Sequence, residues 1–112
     1  MKTYSFYVKG PLVGAVRTTR RQMWVDPRYK RYEAFKREIR LLANTVGVPD
    51  ELTGYASVNI FVEWKRKARV DLDNLAKSAL DALWTQDRKV NKLYCDAFEN
   101  TGVEQMRVCV TL

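Results

Sequence analysis

Between residues 55 and 64, apolar side chains return at every second place, putting Val58, Ile60, Val62 and Trp64 on one face of an extended segment. That period predicts a half-buried strand. A short basic stretch later the period changes. Leu72, Leu75, Ala76, Ala79, Leu80 and Leu83 recur at spacings of three and four, which predicts a helix from about Leu72 to Trp84. A strand running into an amphipathic helix can bury both apolar faces only if the helix lies on a sheet, and the rest of the chain supplies one. Residues 3 to 9 alternate, with Tyr4, Phe6 and Val8 on one side, and Gly10-Pro11 ends that strand. Residues 14 to 25 have no clean period and read as a loop or irregular hairpin. Asp26-Pro27 is a helix start, an N-cap acceptor followed by proline where its missing N–H costs nothing. Tyr32, Phe35, Ile39, Leu42 and Val46 then form one stripe, and Gly47 is a C-terminal stop. Residues 90 to 99 and 104 to 112 read as closing strands, with Asn100-Thr101-Gly102 offering hairpin turn chemistry between them. The expected fold is α+β: two main helices packed on a mixed four-stranded β-sheet, with residues 1–112 as one domain.

Composition narrows the chemistry. There is no histidine, which removes imidazole general acids, serine and cysteine triads, and histidine-ligated metal nucleases. Two cysteines, Cys95 and Cys109, cannot complete a four-ligand zinc site and are expected as reduced core thiols of a cytosolic protein, close together on the sheet. No stretch is apolar enough to span a membrane, and the start does not have the pattern of an export signal. If the chain is an enzyme, its carboxylates do the work, and oxygen ligands favour magnesium, with manganese able to substitute.

The net charge of +7 is segregated. Asp26, Glu33 and Glu38 are the only acids before residue 47, and Lys65, Arg66, Lys67 and Arg69 follow the second strand without an intervening acid. Clustered cations suit a polyanion, because each one set against a phosphate releases condensed counterions. Arg17, Arg20 and Arg21 in the aperiodic segment, with Lys65, Arg66, Lys67 and Arg69, are therefore the candidate phosphate-backbone contacts. Trp24 lies among the first group and could stack on unpaired bases, whereas Trp64 and Trp84 are expected in the core.

The second helix carries the chemical candidate. At 100° per residue its apolar stripe fills one side, and Asp73, Asn74, Lys77 and Asp81 fall on the other. Asp71 and Asp73 sit two apart where an extended loop enters the helix, so both side chains can point one way and flank a divalent ion, with basic charge immediately upstream. Lys77, one turn on, can balance a carboxylate or reach a phosphate oxygen. A solvated helix face, with Asp71 or Asp73 acting only as an N-cap, is the plain alternative.

Asp71, Asp73, Asn74, Lys77, Asp81, Ala82 and Leu83 resemble, place for place, the core pattern of the RusA family of Holliday-junction resolvases. The resemblance implies a metal-dependent endodeoxyribonuclease that acts as a homodimer on four-way DNA junctions by paired nicking in recombination and repair, in a bacterial or phage setting. It implies that Asp71 and Asp73 are metal ligands and Lys77 the catalytic lysine, and that the family's third aspartate is Asp87. With a helix running to Trp84, Asp87 would start roughly 15 to 20 Å from Asp73 at 1.5 Å per residue. It would join the site only through a returning loop or from a partner subunit. A binding module without catalysis, and a metal nuclease of the same fold with another nucleic-acid substrate, remain the alternatives.

Overall fold

The computed structural model describes residues 1–16, 20–23, 25–86 and 88–112, with only the backbone of Arg20 and Gln22. Arg17, Trp24 and Asp87 lie outside the described residues. The elements are β1 (Thr3–Lys9), α1 (Arg20–Met23), α2 (Pro27–Val46), β2 (Ala56–Glu63), α3 (Leu72–Leu83), β3 (Val90–Phe98) and β4 (Gln105–Thr111). The four strands form one mixed sheet in the order β1-β4-β2-β3, with β2 and β3 parallel and the other pairs antiparallel. This is the expected α+β architecture of two main helices on a mixed four-stranded sheet.

The helices share one face of that sheet. Phe6 and Val8 from β1, Val58, Ile60 and Val62 from β2, and Met106, Val108 and Val110 from β4 are buried against Phe35 and Ile39 of α2 and Leu75, Ala79 and Leu83 of α3. Val58, Ile60 and Val62 have no exposed surface, and each contributes on the order of 1.5–3 kcal/mol by leaving water. Trp64 and Trp84 are core, as expected; the Trp84 indole N–H donates to the Pro49 carbonyl at 3.1 Å.

Four local expectations are corrected. The aperiodic segment contains a helical turn, α1. The buried stripe of α2 is Tyr32, Phe35, Ile39 and Ala43, with Leu42 half-buried and Val46 39% exposed; a straight helix at 3.6 residues per turn rotates the later positions off the sheet. Gly47 does end it, at φ 95°, with its N–H on the Asn44 carbonyl. Asn100-Thr101-Gly102 does not close a hairpin, because β4 lies on the far side of β2 from β3. Met106, Val108 and Val110 are wholly buried and take an inner position, while β3, with Leu93 and Tyr94 about half exposed, is left at the edge. The two cysteines are not neighbours: Cys95 registers with Ile60 and Cys109 with Asn59, so they occupy opposite faces with β2 between them.

Candidate active site at the start of α3

Chain order delivers the parts. β2 ends at Glu63, Trp64 plugs into the core, and the basic loop 65–69 runs exposed to Asp71. The segment between β3 and β4 grips this loop from behind. Thr101, Gly102 and Asn100 donate their N–H groups to the carbonyls of Trp64, Lys65 and Arg66, and the Ala68 N–H donates to the Glu99 carboxylate at 2.5 Å. The turn expected to join two paired strands thus backs the basic loop instead.

Asp71 is the N-cap of α3, extended at φ −61° and ψ 140°, and its carbonyl accepts the first helical hydrogen bond from Leu75 at 3.1 Å. Its side chain makes no cap hydrogen bond. Asp73 stands in the first turn, and both residues are exposed. The helix macrodipole favours negative charge at this end.

Asp73, Lys77 and Asp81 follow one another at single-turn intervals along the exposed face of α3. They line one wall of an open groove of about 740 Å³, with Leu72, Ala76 and Leu80 beneath them and Leu93 and Cys95 of β3 opposite. Burial pushes the Cys95 thiol up, which favours its protonated form. Asp81 accepts a hydrogen bond from the Tyr32 hydroxyl at 3.0 Å, tying α3 to α2. Burial first, and then that hydrogen bond, push the Tyr32 hydroxyl far up, so it stays a donor. This partner of Asp81 was not legible in the sequence.

Glu104 was also missed. Its carboxylate takes the Arg69 guanidinium by two bonds, Nε at 2.9 Å and Nη2 at 2.5 Å, and accepts the Leu12 N–H at 2.7 Å. The Arg69 hydrogen bond holds Glu104 below the ordinary glutamate range. Arg69, expected against phosphate, is therefore already engaged and also lies 5.6 Å from the Trp64 ring centre. Lys65, Arg66, Lys67 and Arg21 are exposed.

Among the described residues, no three acidic or thiol side chains gather closely enough to hold a metal ion. The site as described brings Asp71 and Asp73 to one helix end and Lys77 to the next turn. The expected third carboxylate, Asp87, lies outside the described residues. α3 continues to Leu83 without ending early.

Exposed carboxylates thus stand at a helix start directly after a braced basic loop. The family described as endodeoxyribonuclease RusA matches residues 13–112, and the chain belongs to that family. No curated protein matches the chain. No helix among the described residues is long and apolar enough to cross a membrane.

Proposed function

We propose that residues 1–112 act as one metal-dependent nuclease domain that resolves four-way DNA junctions as a homodimer, in the cytoplasm of a bacterial or phage-infected cell. Family membership supports endonuclease action on DNA junctions, and the carboxylates of α3 support the metal dependence. The observation that carries the reading is the Asp71 side chain, which occupies the N-cap position without making the cap bond that would explain its presence there. Two hard oxygen donors, Asp71 and Asp73, fit magnesium or manganese and do not fit a soft metal. Such an ion, when bound, supplies charge neutralisation and activation of water toward a phosphodiester.

The remaining steps belong to the chain. Asp71 and Asp73, with Asp87 as a third ligand from the same chain or the partner subunit, would hold the ion. Lys77 places a positive charge one turn from Asp73, where the non-bridging phosphoryl oxygens gain negative charge as the bond breaks. Lys65, Arg66, Lys67, Arg17, Arg20 and Arg21 fix the DNA backbone, a salt-sensitive contribution. Two copies related by a two-fold axis match the symmetry of a four-way junction.

The test is a labelled four-way junction incubated with the protein and Mg²⁺. The reading expects paired nicks on strands of like polarity, and it expects Asp73→Asn to bind the junction while leaving it uncut. Junction binding with no scission by the wild-type protein would favour a binding module. Scission of flaps or forks in preference to four-way junctions would keep the nuclease and change its substrate.

A further inference from the structure

Between β1 and α1, residues 10 to 16 run as an irregular strand of backbone across the N-terminal half of α3, seated at one end by Glu104 and further along by α3 itself. Leu12 is buried, and its N–H ends on Glu104 Oε2 at 2.7 Å, while its carbonyl receives Arg69 Nη2 at 3.4 Å. Further along, Ser78 Oγ, wholly buried, donates to the Val13 carbonyl at 2.9 Å, and the Ala15 N–H donates to the Asn74 carbonyl at 3.2 Å. Gly14 between them lies so close that an added Cβ would overlap the Val70 side chain and press on Asn74 Cβ at 3.3 Å. Residues 12 to 15 thus lie against Val70, Asn74 and Ser78, which bracket Asp71 and Asp73 in sequence. Glu104 bonds both lines of backbone at once: Leu12 directly, and the run into Asp71 through Arg69.

We propose that Glu104 is a positioning residue for DNA cleavage, acting through Arg69 and Leu12 to clamp the 10–16 loop onto the start of α3, and that Arg69 serves this clamp rather than gripping a phosphate. The inference rests on the active-site reading above. It assigns different work to Arg69 and Lys65, although both belong to the same basic run. A bidentate carboxylate–guanidinium pair fixes geometry as well as charge, and small displacements near reacting groups are costly in rate.

Four proteins test it: wild type, Glu104→Gln, Arg69→Gln and the double variant, compared at a temperature where circular dichroism shows all of them folded. Junction affinity is expected to be unchanged or tighter in Glu104→Gln, which removes a negative charge, while turnover at saturating junction falls about tenfold or more. Arg69→Gln is expected to lose the same turnover, and the double variant no more than either single one, because the two act as a unit. Arg69→Lys, which keeps the charge and loses the fork, should match Arg69→Gln. In the protein without DNA or metal, the Leu12 and Ala15 amides should exchange faster with solvent in Glu104→Gln than in wild type.

Additive losses in the double variant, rescue of turnover by Arg69→Lys, or unaltered amide exchange would each overturn the clamp. Asp73→Asn run beside these separates the two ideas. If it still cuts, the active-site reading falls whatever the cycle gives; if it is inactive and the cycle is additive, only the clamp falls.

Discussion

Both long helices begin with an aspartate at the N-cap, and the two aspartates are used differently. Asp26 Oδ1 accepts the Arg28 N–H at 2.9 Å, and its carboxylate also pairs with the Arg28 guanidinium at 3.0 Å. Those bonds hold its pKa below the ordinary aspartate value. Asp71 has the same extended backbone and occupies the same position, yet its carboxylate makes no cap bond. What compensates at α3 is burial and docking. Leu75 and Ala79 are fully enclosed, and the 10–16 loop is bonded along its first two turns. A helix start fastened by its neighbours does not need its N-cap side chain, and that side chain is available for chemistry.

The contrast is broken or sharpened by exchanging the two positions. The largest effect is expected on activity: Asp71→Asn should reduce junction cleavage by at least about a hundredfold, the scale of removing one charge-handling group, with stability to urea changed by no more than about 0.5 kcal/mol. Asp26→Asn should do the reverse, cutting at the wild-type rate while melting at a lower temperature. Undiminished activity in Asp71→Asn would mean that Asp71 serves the helix start alone, because asparagine caps as well as aspartate.

Next in size is a stability effect at α3 itself. Ser78→Ala removes the buried donor to the Val13 carbonyl and should cost about 1–2 kcal/mol in urea unfolding, more than Asp71→Ala. If the ranking is inverted, the docked loop does not substitute for the cap.

The smallest effect is in pH. Because the folded pKa of Asp26 is depressed, its stabilisation is complete above the ordinary value of 3.8 and is lost as pH falls through the lower folded value. The difference in melting temperature between wild type and Asp26→Asn should therefore be full at pH 6 and shrink below about 3.8. A difference that persists undiminished in acid would assign it to something other than the carboxylate.

What could be read from residue order was whatever repeats locally. The period-two run at Val58, Ile60 and Val62, the helical run from Leu72 to Leu83, and the Asp26-Pro27 and Gly47 boundaries of α2 are all local patterns, and the structure has them. Strand order was not legible. Asn100 and Gly102, both at positive φ, do make a turn, but whether a turn pairs its flanking strands depends on which strand the core can enclose. Met106, Val108 and Val110 take β4 into the sheet, and the half-exposed Leu93 and Tyr94 keep β3 at its edge. The same limit applies at the site. Asp71, Asp73 and Lys77 stand at motif spacing on one element, whereas Tyr32 with Asp81, Ser78 with Val13, and Glu104 with Arg69 and Leu12 meet only through the tertiary fold.

The most direct measurement is calorimetric titration of Mn²⁺ into the DNA-free protein, comparing wild type, Asp26→Asn and the pair Asp71→Asn with Asp73→Asn. The account predicts equal affinity for wild type and Asp26→Asn, and a loss of at least about tenfold when either α3 aspartate is neutralised. Undiminished Mn²⁺ affinity in a protein lacking both α3 carboxylates would contradict it.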